Sequence, residues 1–231
     1  MADQSAFDRN NPLMQPLGPP PGLLEQFNLP PALIGFIRRN QRAVWIVLSL
    51  TMTLIVAVAA FTTYRDYRAG KAASALDAAL NAKADQQKLL EQVAVEYSST
   101  PSGLWAKLEL AFLKDKEGQR TEAISRFEAI NSGIPGKSLL KPLVLSKLGA
   151  LYENDKQLDK ALASYTGLAS MEGFAAEAYR AMGRIYEVQG KPAEAKGMYE
   201  KYMEKTVGPD GQPGKDPVRE LVQIRLNQIK N

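Results

Sequence analysis

LSKLGALYENDKQLDKALASYTGL, residues 145–168, and YRAMGRIYEVQGKPAEAKGMYEKY, residues 179–202, carry one pattern twice along the chain. Every matched pair of positions is separated by the same offset, as Gly149 is from Gly183. The pattern is a large apolar residue, a glycine, a tyrosine, an alanine and a second tyrosine: Leu148, Gly149, Tyr152, Ala161 and Tyr165, then Met182, Gly183, Tyr186, Ala195 and Tyr199. Self-similarity at a fixed period of about 34 residues predicts stacked structural repeats, each of which is one supersecondary unit.

The spacing within each copy indicates two antiparallel helices joined by a short polar turn. Gly149 and Ala161 remove bulk where the two helices approach one another, and Tyr152 and Tyr165 fill the space that is left. The second copy has the same four residue types at the same offsets. The sequence therefore predicts an all-α fold built from helical hairpins.

A third and more degenerate copy precedes these two in WAKLELAFLKDKEGQRTEAISRFEAI, residues 105–130. Gly118, Ala123 and Phe127 match the later Gly190, Ala195 and Tyr199. Its first helix departs from the pattern, with lysines at 107 and 114 where large residues are usual. The offset to the next copy, from Ala123 to Ala161, is longer than the regular period, and the extra residues fall in NSGIPGKS, residues 131–138, which has the composition of a loop.

This pattern resembles the tetratricopeptide repeat, in which a large residue, leucine and glycine, an aromatic, alanine and a second aromatic recur with a period of about 34 residues. The resemblance implies an α-solenoid in which the first helix of each hairpin lines a concave, protein-binding face. The positions that it implies for a candidate groove are Trp105, Leu108, Phe112, Arg180, Arg184 and Glu187. Arg180 and Arg184 are one turn apart, which suits the binding of an acidic peptide. For the three apolar positions two alternatives stay open: they line the groove, or the helix around Leu90 covers them.

An uncharged run from Ala43 to Tyr64 predicts a membrane-spanning helix. As a helix the run would span about 33 Å, against a hydrocarbon core of about 30 Å. A cleaved signal peptide is the rival, because Ala57-Val58-Ala59 resembles a cleavage site. The run is longer than a signal core and does not start until Ala43, so we expect an uncleaved anchor.

The flanks of this run leave its orientation open. Three cations precede it and three follow it, namely Arg38, Arg39 and Arg42, then Arg65, Arg68 and Lys71. Because the positive-inside rule depends on an imbalance of Lys and Arg, the charges do not choose a direction. Residues 1–42 hold half of the 14 prolines and are expected to form a flexible tail, either a tether or a docking peptide, with a short interfacial helix from Pro31 onward.

The expected domain organisation follows from these segments. A helix-rich stalk packing onto the repeats is predicted over 65–99, with one helix from about Arg65 to Tyr97. A loop and a capping helix that starts near Asp216 are predicted over 207–231. The predicted boundaries are a proline-rich tail at 1–42, an anchor at 43–64, the stalk at 65–99, repeats at 100–206 and the capping segment at 207–231.

The amino-acid composition argues against most kinds of catalytic and metal-binding site. The chain has no cysteine and no histidine, which removes thiolate nucleophiles, imidazole bases and nearly every zinc or copper site. The net charge is +4 with both signs interspersed, which does not favour a nucleic-acid surface. We therefore predict no enzyme activity, no cofactor and no metal, and we expect protein partners.

The order of tail, anchor, alanine-rich helix and repeats is similar to that of bacterial inner-membrane tetratricopeptide-like proteins, including the ancillary subunit of the Sec translocon. The similarity covers about 70–206. It implies a cytoplasmic N-terminus, a periplasmic repeat domain and a scaffold or chaperone-adaptor that passes exported proteins from the Sec translocon to periplasmic chaperones. The alternative is a structural subunit that assembles into a larger membrane complex through its anchor and stalk.

Overall fold

The structure is a computed structural model that describes residues 30–82, 84–207 and 217–229. Every regular element in these ranges is an α-helix, which confirms the all-α prediction. The helices are α1 (Pro31–Arg39), α2 (Gln41–Asn81), α3 (Gln86–Glu96), α4 (Pro101–Lys116), α5 (Arg120–Gly133), α6 (Lys141–Asn154), α7 (Leu158–Ala169), α8 (Ala175–Val188), α9 (Pro192–Lys205) and α10 (Pro217–Ile229). The chain divides into two units, Met1–Tyr64 and Arg65–Asn231.

In the first unit, α2 exposes a continuous apolar surface. All the large apolar side chains between Trp45 and Phe61 are exposed. The hydroxyls of Thr51 and Thr53 donate to carbonyl oxygens one turn back, at 2.8 Å, so they are satisfied without water. By length and composition, α2 could cross a membrane. The predicted tail lies outside the described residues up to position 29.

In the second unit, the end of α2 packs against α3 and α4. Ala79 of α2, Leu90 and Val93 of α3 and Leu110 of α4 share one buried cluster. The prediction of a single helix over 65–97 is wrong, because the chain leaves α2 at Asn81 and starts α3 at Gln86. This break lets α3 turn back and bury its leucine and valine face.

Helices α4 to α9 form three consecutive hairpins, α4–α5, α6–α7 and α8–α9, each packed on the next. Their turns are the same: a positive φ at Gly118, Lys156 and Gly190. In each turn the next residue donates its backbone N–H to the carbonyl five residues earlier at 2.9 Å, as Gln119 does to Lys114. The degenerate copy is therefore a hairpin of the same kind.

The glycines of the two clear copies lie against aromatic rings. A Cβ placed on Gly149 would come within 2.6 Å of the Tyr165 ring, and one on Gly183 within 2.5 Å of the Tyr199 ring. Real Cβ atoms do not approach so closely, so each glycine lets the second helix of its hairpin press a ring onto the first. Ala161 is fully buried at the same crossing.

Burial weakens the acidity of the two tyrosine side chains. It raises the pKa of Tyr165 to about 12 and that of Tyr199 to about 12, because a buried phenolate would lose its hydration. Nearby carboxylates, Glu153 and Glu187, add to the rise. Both phenols therefore stay neutral, and the rings act as packing groups.

The last described helix, α10, closes the stack. Val222 and Leu226 of α10 are buried against Tyr199 and Tyr202 of α9. Arg219 Nη1 donates to the carbonyl oxygen of Met203 at 2.7 Å and also to the Thr206 hydroxyl. The predicted cap at Asp216 lies outside the described residues.

Two alanine substitutions within the α8–α9 hairpin should have opposite effects. Replacing a mid-helix glycine by alanine normally stabilises a helix by about 1 kcal/mol. Gly183→Ala should instead destabilise the protein by about 1–3 kcal/mol, because its methyl group overlaps the Tyr199 ring. Gly197→Ala, with nothing within 4 Å of the added Cβ, should be neutral or stabilising. Urea unfolding of both variants in detergent, followed by circular dichroism, measures the difference, and equal effects would contradict the packing described.

Candidate functional site

The six residues predicted to line a concave groove lie in two separate places. Trp105, Leu108 and Phe112 are on α4, and Arg180, Arg184 and Glu187 are on α8. Both helices are the first of their hairpins. Their side chains, however, are engaged in different ways.

Leu108 does not line an open surface. It is fully buried in the core formed with Phe127 of α5 and Val144 and Leu148 of α6. Phe112 is half-buried, and its ring meets that of Phe127 edge to face at 5.1 Å. The helix around Leu90 belongs to a different cluster, so it does not cover these residues. The reason is that α4 packs one flank against α5 and α6 and the other against α3.

The charged residues on α8 are held by neighbouring helices. Arg184 makes a bidentate ion pair with Glu153 of α6, with Nε–Oε1 and Nη2–Oε2 distances of 2.8 Å. Glu187 accepts a hydrogen bond of 3.0 Å from the Tyr199 hydroxyl and lies 3.6 Å from Arg225 of α10. Arg180, with no ion pair to the described residues, borders a shallow hollow of about 160 Å³ that α10 also lines.

These pairs belong to a series that recurs along the repeats. Asp115, Glu153 and Glu187 occupy equivalent positions near the ends of α4, α6 and α8, because the offsets between them equal those between the repeat alanines. Each pairs with a cation of a later helix: Asp115 with Lys147 at 2.6 Å, Glu153 with Arg184 at 2.8 Å and Glu187 with Arg225 at 3.6 Å. We call this series the acid ladder. Single pairs of this exposure stabilise by about 1 kcal/mol at most, so the ladder chiefly orients successive hairpins.

A cleft of about 950 Å³ lies elsewhere. It is bounded by α3, α4, α5 and the loop from Ile134 to Leu140. Its apolar lining residues are Ala94, Val95, Pro101, Leu104, Trp105, Leu110, Ala129, Ile130, Ile134, Pro135, Leu139 and Leu140. We call it the Trp105 cleft.

The rim of the Trp105 cleft leaves large apolar side chains in water. Val95 is 78% exposed, Leu139 95% and Trp105 40%. Exposed apolar side chains grouped around a concave surface are typical of protein-binding sites. Trp105 is thus the predicted groove residue that does lie at an open cleft, although its neighbours there are not the ones predicted.

The polar residues that line the cleft are Glu91, Ser98, Ser99, Thr100, Lys107, Arg126 and Ser138. Thr100 is used by the fold, because its hydroxyl accepts from the Gly103 N–H at 3.1 Å and donates to the Tyr97 carbonyl oxygen at 2.7 Å. Arg126 is paired with Glu122 at 2.8 Å. Lys107 is exposed and has no ion pair with the described residues. The cleft therefore offers an apolar floor lined also by three charged residues, Glu91, Lys107 and Arg126, of which Lys107 has no ion pair within the part of the chain that the structure describes.

Across the described residues, no group of three or more Asp or Glu side chains could hold a metal ion. The repeat pattern does not predict the cleft, because Val95 and Leu139 belong to no repeat. One signal was present in the sequence: the extra residues between the first two hairpins fall in the loop that forms the wall of the cleft.

Comparison with known protein families and solved structures shows which family the chain resembles. The family model described as tetratricopeptide repeat-like domain matches residues 35–231. The crystal structure of a tetratricopeptide repeat protein from Parabacteroides merdae ATCC 43184 superposes with a TM-score of 0.52 at 17% identity, covering 71% of this chain and 59% of that one. The chain thus spans little more than half the length of that protein. A putative kinesin light chain with nearly identical repeats, from Podosopora anserina, gives a TM-score of 0.49 at 17% identity, covering 71% and 84%.

A comparison with curated proteins gives no match. At 17% identity, the likeness to the solved structures shows the fold alone. That fold is an α-solenoid typical of scaffolds for protein–protein interaction rather than of enzymes. The family match covers most of the chain and includes both clear repeats. The protein belongs to the tetratricopeptide repeat-like family.

Proposed function

We propose that the protein is a membrane-anchored scaffold that binds a polypeptide partner in the Trp105 cleft. The observation that carries the proposal is the combination of a concave volume of about 950 Å³ with the exposed apolar side chains of Val95, Trp105 and Leu139. Full burial of an exposed valine or leucine side chain is worth roughly 1.5–3 kcal/mol, which favours an occupant that covers Val95 and Leu139.

The residues that line the cleft indicate which kind of peptide it would bind. Its floor suits an apolar segment, and Lys107, which forms no ion pair within residues 30–82, 84–207 and 217–229, favours a carboxylate on that segment. A peptide with two or three large apolar residues and one acidic residue meets both requirements. Arg184, predicted as an acid-binding residue, is a weaker candidate because Glu153 already holds it in two hydrogen bonds.

Helix α2 is the proposed membrane anchor. The apolar side chains from Trp45 to Phe61 are exposed, and the Thr51 and Thr53 hydroxyls are satisfied within the helix. In a hydrocarbon layer both features are favourable, whereas in water the first costs free energy. We place the protein in a bacterial inner membrane with a cytoplasmic N-terminus and periplasmic repeats, an orientation supported by resemblance alone.

A role at the protein-export machinery follows as the finer proposal. A polypeptide that leaves a translocon is unfolded and exposes apolar segments, which is the chemistry that the Trp105 cleft fits. In this scheme the scaffold holds such a segment near the Sec translocon until a periplasmic chaperone takes it. The support is chemical complementarity, together with the similarity in segment order.

A second candidate function is that of a structural subunit in a larger membrane complex. The acid ladder favours it, because Arg184 and Glu187 of the concave face already pair with Glu153 and Arg225. In that case assembly would depend on α2 and on the helices packed against its end. The Trp105 cleft would then hold no peptide.

Peptide selection on the full chain in detergent tests the first proposal. Peptides recovered from a random displayed library should carry large apolar residues and an acidic residue. Trp105→Ala should weaken their binding about tenfold or more in fluorescence polarisation, because it removes the aromatic wall of the cleft. Lys107→Glu should reverse the preference for an acidic residue.

Val188→Ala is the matched control for the peptide experiment, since Val188 is exposed on α8 and lies outside the cleft. It should leave the affinity unchanged. If Arg184→Ala weakens binding and Trp105→Ala does not, the concave face is the site. If no peptide is enriched, the structural-subunit function is favoured instead.

A reporter enzyme fused after Asn231, active only when exported, tests anchoring and orientation in bacteria. Activity is expected, together with retention of the fusion in carbonate-washed membranes. Replacing Leu54 and Ile55 by arginine should abolish retention, since each arginine at the centre of a span costs about 2.5–3.5 kcal/mol. An inactive, membrane-retained fusion would place the repeats in the cytoplasm and discard the export role.

A further inference from the structure

Helix α1 is a short amphipathic helix directly before the apolar run. At about 100° per residue, its side chains Leu33, Ile34, Phe36 and Ile37 fall within an arc of about 160°. Gly35, Arg38 and Arg39 occupy the opposite arc. The helix thus has two faces, one apolar and one cationic.

The apolar face of α1 is uncovered. No residue of α1 is buried; Leu33 is 43% exposed and Phe36 53%. An isolated helix as short as α1 is marginal in water, because nucleation outweighs the few hydrogen bonds gained. A surface that accepts Leu33 and Phe36 would stabilise both the helix and its orientation.

A distinct break separates α1 from α2. The Asn40 backbone N–H and its side-chain Nδ2 both donate to the Phe36 carbonyl oxygen, at 3.0 and 3.1 Å, and end α1. Helix α2 begins at the next residue, Gln41. In its first turn the Val44 N–H donates to the Asn40 carbonyl oxygen at 3.0 Å. Because the helix is interrupted at Asn40, α1 is free to take a direction different from that of the span.

We propose that α1 lies in the membrane interface, with Leu33 and Phe36 among the upper acyl chains and Arg38 and Arg39 toward lipid phosphates. The inference rests on the proposed anchoring of α2. Two observations favour lipid over a protein groove as the occupant. The apolar face of α1, which ends at Ile37, is separated from the exposed apolar side chains of α2 by only five residues, 38–42. Three of those five residues are arginines, at 38, 39 and 42. A buried depth of about 5–10 Å is typical of such helices.

The arginines of α1 favour a membrane surface that contains anionic lipid. Each cation near an anionic leaflet is attracted to it, and the attraction falls off within a Debye length of about 8–10 Å. Arg38 and Arg39 are within one turn of the break, so both would lie at headgroup depth. We therefore infer a surface that contains anionic lipid such as phosphatidylglycerol.

Spin labels on the full chain test the inference directly, because the sequence has no cysteine to remove. Single variants Leu33→Cys, Phe36→Cys, Gly35→Cys and Arg39→Cys are labelled and reconstituted in vesicles of phosphatidylcholine and phosphatidylglycerol. Accessibility to oxygen and to a water-soluble nickel chelate is then measured by electron paramagnetic resonance. The oxygen-to-nickel ratio should be several-fold higher at 33 and 36 than at 35 and 39.

A label at Ile55→Cys, within the apolar run, separates this inference from the proposed anchor. If position 55 is oxygen-rich while 33 and 36 are as accessible to nickel as 35 and 39, α1 is not in the interface, although the anchor stands. If position 55 is also nickel-accessible, the anchoring is wrong and the inference falls with it.

A charge placed on either face supplies the matched control. Phe36→Glu should transfer a label at position 33 from lipid to water, lowering its oxygen-to-nickel ratio several-fold. Gly35→Glu adds the same charge at the neighbouring position, where nothing lies within 4 Å of the added Cβ, and should change the ratio little. Equal effects of the two substitutions would overturn the assignment of faces.

Discussion

The contact on which the second unit depends is that between a tyrosine ring and a glycine backbone. Tyr165 over Gly149 and Tyr199 over Gly183 bring the two helices of each hairpin closer than any side chain at the glycine would allow. The Tyr199 ring also carries a hydroxyl that donates to Glu187 at 3.0 Å. One side chain thus sets the spacing within a hairpin and positions a carboxylate for the next helix.

That carboxylate is one step of the acid ladder, which explains why the charged residues predicted for the groove do not form an open site. Asp115, Glu153 and Glu187 are each paired with a later helix, so they are used in stacking the hairpins. The first hairpin is flanked differently, by α3 and by a longer loop. The Trp105 cleft opens there because the hairpin departs from the repeat, and the departure leaves apolar surface unmatched.

The fold was predictable from spacing, whereas the cleft was not. A recurring glycine and tyrosine specify local helix crossings, so positions such as Gly183 and Tyr199 reveal the hairpins without coordinates. Leu108 was misplaced because repeat register gives the helix face but not which neighbour covers it. The cleft joins Val95 and Leu139, which are far apart in sequence and outside any repeat, so only the packed chain brings them together. The break between α2 and α3 is not predictable from local sequence for a similar reason, since a helix break is decided by what the reversed chain can bury.

Hydrogen exchange of the full chain in lipid nanodiscs, with and without a selected acidic apolar peptide, tests the central claim that polypeptide binds beside Trp105. Bound peptide should slow exchange in α3, in α4 and in the loop from Ile134 to Leu140, which border the cleft. Exchange in α8 around Arg184 should not change. Slowed exchange confined to α8 and α10 would contradict the account and return the binding site to the concave face.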